Sequence, residues 1–323
     1  MSRSVKRWLF LILLSFPIAG FAQKEALIKK PDSLSGKEHR AEQINEINPD
    51  YYSTYVNLLN FNSYVSFLGY NAKQEITKPF HMTKKEWGSF GKFAVIAVGL
   101  GFADELVQQA ALKLRNRNTG LNNVSKYVTK FGASYEVITL AGLGIYGLVF
   151  KNEKLTTTTL LATQSCITAT SVTSVLKFIT GRTRPSYYNA NEEAEPRFLG
   201  PFSKATRDAN GKKISTSFPS GHTTVAFAAA TVFASEYRNK AIVPIIAYSA
   251  ASLVGVSRIT ENKHWATDVF VGAAIGFITG KQVVNNYQHY SKIKSEEKRK
   301  VLYSFSLNYS YGHCEPELLL HFK

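Results

Sequence analysis

Long apolar runs are scarce in this sequence. Six stretches are dominated by Ala, Gly, Val, Ile and Leu: 93–103, 137–150, 155–176, 225–234, 241–257 and 269–280. Most fall short of the about 20 residues that a membrane-crossing helix needs, and the longest carries eight threonines and three serines. Mean hydropathy is only −0.12, low for a polytopic membrane protein. Cysteine is scarcer still. Cys166 and Cys314 make neither a disulfide framework nor a zinc site of recognisable spacing, and both read as structural. No HExxH and no aspartate-rich metal motif occurs, so the sequence calls for no metal and no cofactor. There is no internal repeat, and no apolar run shows the sustained period-two alternation of a half-buried sheet. Acidic residues are outnumbered, 23 against 39 Lys and Arg, for a formal charge of +16. Such a balance favours phosphate-bearing partners, whether nucleic acid, anionic lipid or small phosphoesters, and does not choose among them.

What is present suffices for a packed core, with 45% hydrophobic and 13% aromatic residues over 323 positions. Arg3, Lys6 and Arg7 precede the apolar Trp8 to Ile18, and Gly20-Phe21-Ala22 follows as a small-x-small site. This order predicts a signal peptide over 1–22, cleaved after Ala22, and hence an exported protein, periplasmic or membrane-associated, with its site on the non-cytoplasmic side. Residues 23–91 read as an irregular arm whose aromatics pack onto the main domain. Residues 92–284 hold the six apolar runs, hydrophobic nearly all round, as in helices buried in a bundle or in lipid. Within them, 186–217 is polar and too long for an ordinary connection, which suits a lid. Residues 285–323 read as a charged linker and tail, where the alternation of 302–309 predicts a strand or hairpin.

Three clusters carry chemistry, each at a helix end. In Lys177-Phe-Ile-Thr-Gly-Arg-Thr-Arg184-Pro185 a helix should stop near Gly181, because the residue before a proline is pushed out of helical geometry. Lys177 and Arg184 then project from the helix end and its loop. Taken alone, they would be ordinary cations complementing a helix dipole. In Pro219-Ser220-Gly221-His222 a loop enters a helix. Free amides there bind anions, Gly221 lets the backbone come close, and the Ser220 hydroxyl adds a donor or simply caps the helix. His222 lies in the first turn, placed to give a proton to a leaving group. In Ser257-Arg258, His264 and Asp268 a cation leaves one helix, and a histidine and a carboxylate follow at i and i+4 on the next. A carboxylate so placed can hold one ring N–H and leave the other nitrogen free as a nucleophile.

Together these residues supply three cations and backbone donors for a phosphate dianion, one oriented nucleophile and one acid. Phosphoryl transfer demands mainly positioning and charge neutralisation, which Lys and Arg can provide. Lys-x6-Arg-Pro, Pro-Ser-Gly-His and Ser-Arg-x5-His-x3-Asp, in this order, resemble the three signatures of the type 2 phosphatidic acid phosphatase and vanadium haloperoxidase superfamily. The resemblance covers about 92–284 and leaves the arm and the tail unexplained. It implies an all-α fold, a six-helix bundle of the acid phosphatase/haloperoxidase type, with the irregular N-terminal arm and a short C-terminal β-hairpin appended. It further implies that Lys177, Arg184, Ser220, Gly221 and Arg258 bind phosphate, that His222 is the acid, and that His264 attacks with Asp268 behind it.

The function expected on these grounds is metal-independent removal of phosphate from a phosphomonoester or pyrophosphate, lipid-linked by preference, through a phosphohistidine intermediate. The partners expected are a phosphorylated substrate and a membrane, not nucleic acid. Two alternatives use the same cradle: a vanadate-dependent haloperoxidase, whose members the resemblance implies are commonly longer, and a non-catalytic phosphate- or lipid-binding protein. Binding alone needs neither nucleophile nor acid, which weighs against the last. Substrate identity and oligomeric state are not written in the sequence.

Overall fold

Four helix starts in this chain are marked by side chains, Asn60, Thr83, Asn118 and Asn152, that satisfy orphan amides of the first turn. A computed structural model describes residues 60–132, 134–187, 194–201, 215–299, 301–310 and 313–322. The chain divides into two units, Met1–Tyr51 and Tyr52–Lys323, and all of these residues belong to the second. The expected signal peptide, the first part of the arm and most of the polar segment after Tyr187 lie outside the described residues.

The expected all-α bundle is present, with nine helices among the described residues rather than six. They are α1 (Phe61–Thr77), α2 (Lys84–Gly101), α3 (Asp104–Arg117), α4 (Thr119–Lys130), α5 (Ser134–Val149), α6 (Glu153–Thr180), α7 (Gly221–Glu236), α8 (Ile242–Thr260) and α9 (Ala266–Arg299). The three additional helices, α1, α3 and α4, carry too many polar residues to stand out as apolar runs. Their signals are local: Asn60 accepts from Ser63 N at 2.8 Å before α1, Asn118 caps α4, and α3 has Asp104 and Glu105 in its first turn with Arg115 and Arg117 in its last. The arm expected to be irregular is therefore helical over its described part. Thr83 and Glu86 form a reciprocal capping box at the start of α2. Nor does the chain break at residue 284, because α9 continues to Arg299. Beyond it β1 (Val301–Ser310) pairs antiparallel with β2 (His313–Phe322), in register from Val301 with Phe322 to Ser310 with His313.

The threonine content of α6 is reconciled with burial by back-bonding. Hydroxyls of Thr156, Thr158, Thr159 and Thr163 donate to the carbonyls four residues earlier at 3.1, 2.7, 2.9 and 2.8 Å, whereas those of Thr157, Ser165 and Thr168 on the same helix are buried without a partner. The most buried helix is α7, packed between α6, α8 and α9. Its apolar contacts form two clusters, one around Leu161, Val232, Val283 and Tyr287, the other around Phe227, Ala251 and Val254. Along α9, Gly272, Gly276 and Gly280 let the backbones of α7 and α9 nearly touch. A Cβ on Gly276 would lie 2.2 Å from Thr224 O, and one on Gly280 2.8 Å from Ala228 O.

The outward faces tell a different story from the core. Val95, Val98, Val137, Ile138, Leu148, Ile245 and Ile246 are all exposed by more than half, on α2, α5 and α8. So many large apolar side chains turned outward on three helices suit contact with something other than water. Among the described residues, one unbroken helix, Ile242–Thr260, is long and apolar enough to cross a membrane.

Candidate functional site

The site is assembled where α6, α7 and α9 present their ends to one another. Helix α6 stops at Gly181, whose φ of 55° is left-handed, and a Cβ there would meet Gly200 O at 2.5 Å. Only glycine meets both demands without strain. The chain then runs extended. Arg182 bridges to Phe198, Thr183 N donates to Arg197 O at 2.9 Å, and Ser217 N donates to Arg182 O at 2.9 Å. These bonds fix the stretch 215–220 against the exit of α6.

Lys177, in the last turn of α6, donates to Thr216 O at 2.8 Å and Pro219 O at 2.7 Å. Arg184 reaches the same threonine, its Nη2 lying 3.3 Å from both Thr216 O and Oγ1. Two cations thus share one carbonyl. Burial, with Arg184 and Arg258 nearby and Asp268 opposing, pushes the Lys177 amine down to about 7. Arg184 is likewise pulled below its ordinary value by burial.

The second cluster closes the cradle. A Cβ on Gly221 would lie 3.8 Å from Lys177 Cε, so the N-terminus of α7 faces the lysine. Ser220 N donates to Asp268 O at 3.0 Å, tying this turn to the third cluster. The Ser220 hydroxyl is fully buried and pairs with Thr223 Oγ1 at 2.8 Å. Its structural bond is therefore internal to α7. His222 is half-buried and packs against Gly132, where a Cβ would lie 3.1 Å from His222 Cβ.

In the third cluster Arg258 leaves α8 and contacts Glu261 Oε2 at 3.1 Å and Thr129 Oγ1 at 3.3 Å. His264 lies in the loop before α9 rather than on the helix with Asp268, its amide donating to Arg258 O at 3.3 Å. The ring is buried. Its Nδ1 sits 2.8 Å from Ser217 O and 3.5 Å from Asp268 Oδ2. A carbonyl only accepts, so Nδ1 carries the hydrogen and donates it, which leaves Nε2 with its lone pair. The shorter partner is thus the main chain, and the carboxylate stands beside the ring. Asp268 is itself held by Arg182 Nη1 at 2.6 Å, Ser217 Oγ at 2.5 Å and Trp265 N at 2.9 Å. Burial holds the His264 ring well below the ordinary histidine range, helped by Arg184, Lys177, Arg258 and His222. A neutral imidazole amid cations is what an anionic phosphoryl group would meet.

All eight sequence-selected residues lie on the segments gathered here, and four of them act electrostatically on the His264 ring. The spacing of the motifs missed Arg182, Ser217, Trp265 and Thr267, which build the floor, and Asp104, which comes from α3. Arg182 was visible only as one more cation in the first cluster. Asp104 had no local signal. Among the described residues, no group of three His, Cys, Asp or Glu side chains is placed to hold a metal ion.

Comparison with known proteins places this geometry in context. The family model described as PAP2 superfamily matches residues 158–291, which contain all three clusters. Lipid A 1-phosphatase of Porphyromonas gingivalis is 48% identical over 66 residues, 20% of this chain and 15% of that protein. Lipid phosphate phosphatase 1 of Arabidopsis thaliana is 31% identical over 163 residues, 42% of this chain and 50% of that one. The chain spans at most about half the length of these curated relatives. The crystal structure of a transmembrane PAP2 type phosphatidylglycerolphosphate phosphatase from Bacillus subtilis is 25% identical. It covers 62% of this chain and 94% of its own, with a TM-score of 0.46.

Proposed function

The chain belongs to the PAP2 superfamily, and from that premise we propose that it is a metal-independent phosphohydrolase that removes phosphate from lipid-linked esters through a phosphohistidine intermediate. The observation that carries this reading is the His264 ring: buried, neutral, its Nδ1 hydrogen committed to Ser217 O, and flanked by Lys177, Arg184 and Arg258. In the proposed reaction these three cations and the amides at the start of α7 hold the phosphoryl oxygens. Nε2 attacks phosphorus as the ester P–O bond breaks, and His222 gives its proton to the departing alkoxide. His222 then takes a proton from water, which attacks the phosphohistidine and frees phosphate and the ring. Asp268 stabilises the positive ring formed in the first step, at 3.5 Å.

The lipid preference draws on the names of the curated relatives and on the exposed apolar faces of α2, α5 and α8, which we assign to contact with a membrane. The protein is then membrane-associated and exported, with the site on the non-cytoplasmic side. Nucleic acid is not a partner in this reading.

Phosphate release from phosphatidic acid, lipid A, polyprenyl pyrophosphate and small soluble esters tests the proposal. Activity should persist in EDTA, be blocked by vanadate as a mimic of the transferring phosphoryl, and leave labelled phosphate on His264 when quenched without acid. Turnover by a His264→Ala variant, with no label ever on the protein, would overturn it.

A further inference from the structure

Beneath His264 lies a buried ion network that extends beyond the three motifs. Arg182 is 2% exposed and bridges two carboxylates that are fully buried, Asp268 through Nη1 and Asp104 through Nη2, each at 2.6 Å. Its guanidinium is enclosed by the rings of Phe198, Trp265 and Phe218, with centroids 4.9, 5.6 and 5.9 Å away. Asp104 also receives Thr267 N and Thr267 Oγ1, both at 2.9 Å, and so holds the first turn of α9 in which Asp268 stands. Asp104 is the first residue of α3 and lies outside the segment that matches the family.

The charge count explains why two carboxylates share one guanidinium. The groups facing His264 are Lys177 of α6, Arg184 of the following loop, His222 of α7 and Arg258 of α8, with Asp268 of α9 beside the ring. If Asp268 alone faced Arg182, its field on the ring would be largely cancelled. Burial pushes both carboxyls up, but each accepts three hydrogen bonds from donors, one of them the guanidinium, which holds both ionised. With Asp104 on the other side of the guanidinium, the trio then carries a net negative charge, and this opposes the four groups that disfavour a positive ring. Attack on phosphorus makes that ring positive.

We propose that Asp104 is a positioning residue for the phosphoryl-transfer centre. Through Arg182 and Thr267 it fixes Asp268, and it supplies the negative charge that remains uncompensated beneath His264. The inference rests on the phosphohydrolase reading for its effect on turnover, while its effect on the His264 ring is independent of turnover.

Both readouts are available in the full-length protein. The ring titration of His264 is followed by NMR in histidine-labelled protein, its signal identified by loss in His264→Ala. Asp104→Asn should move the midpoint to lower pH, since a negative charge is gone, and Asp104→Glu should restore it. In turnover, Asp104→Asn should lower kcat roughly tenfold or more, the usual scale for a lost outer-shell partner. KM should be little changed, because the phosphate cradle is untouched, and the acid limb of kcat should shift with the ring. An unmoved midpoint and acid limb, even with reduced activity, would show a merely structural role and overturn the proposal. If the wild type releases phosphate from nothing, the functional reading fails while the titration still decides on Asp104. Should Asp104→Asn not fold, the paired Asp104→Asn/Arg182→Gln variant removes the nearer cation as well. Its midpoint should then rise, and an unchanged one would overturn the proposal equally.

Discussion

His264 and His222 should fail in different ways when removed. His264→Ala is expected to abolish turnover of every substrate, whereas His222→Ala should slow alkyl phosphates by roughly 10²-fold, the usual size of a general-acid effect, and spare p-nitrophenyl phosphate, whose leaving group departs without a proton. Steady-state assays on the two substrate types decide it, and equal losses on both would contradict the assignment of His222 as acid. Lys177 carries a pH signature of its own. Held at about 7 by burial and its neighbours, the amine is only partly protonated at neutral pH, and a bound dianion restores its proton. Anion binding should therefore take up a proton and weaken as pH rises above about 7. Calorimetry with sulfate, a dianion throughout, in buffers of different ionisation enthalpy measures both effects; affinity constant from pH 7 to 9 would contradict the Lys177 assignment. At this scale much was legible. Lys177, Arg184, Ser220, Gly221, His222, Arg258 and Asp268 stand at or just beyond helix ends, as the spacing of the three motifs predicts, while His264 stands in the loop before α9 rather than on the helix. What could not be read was the Ser217 carbonyl as acceptor for Nδ1, because every residue has a carbonyl and only the fold selects one.

Helices rather than loops set the distances, and the tightest constraint is the approach of α7 to α9. Gly276→Ala would place a Cβ 2.2 Å from Thr224 O and 2.8 Å from Ala228 N. Both atoms are backbone and cannot rotate away. The expected cost is at the upper end of the ~1–3 kcal/mol typical of overpacking, read as a fall in the midpoint of thermal or denaturant unfolding, with activity lost as α7 shifts from α9. An unchanged midpoint would mean the helices are less closely packed than described. The six apolar runs each correspond to a helix, because the faces turned to the core and the outward faces of α2, α5 and α8 are both apolar. Helices α1, α3 and α4 escaped for the opposite reason: each carries many polar residues, and their signals are local, the caps Asn60 and Asn118 on α1 and α4 and the end charges of α3. The tie from Asp104 to Arg182 joins positions 78 apart in sequence, and no local pattern could announce it.

The molecule as a whole is basic and wears apolar side chains on its outside. These features predict firm retention by membranes. Carbonate should leave the protein in the pellet, since removing electrostatic attachment does not remove contact through Val95, Val137 and Ile245. A protein recovered without detergent would contradict the lipid assignment. The same overall view shows how far the site depends on chain outside the family-matching segment. Asp104 grips Arg182, Gln108 reaches Asn262 at 3.0 Å, Ser125 meets Thr260 at 2.8 Å, and Thr129 meets Ser257 at 2.8 Å. All four come from α3 and α4, upstream of residue 158, and all four partners stand beside the loops that carry Arg184 and His264. The signature stretch is consequently no cassette: grafted or expressed by itself, it would lack its rear wall. Cut instead at the turn around Lys151, between α5 and α6, the two fragments should reassemble when made together, and phosphatase activity would then report their complementation.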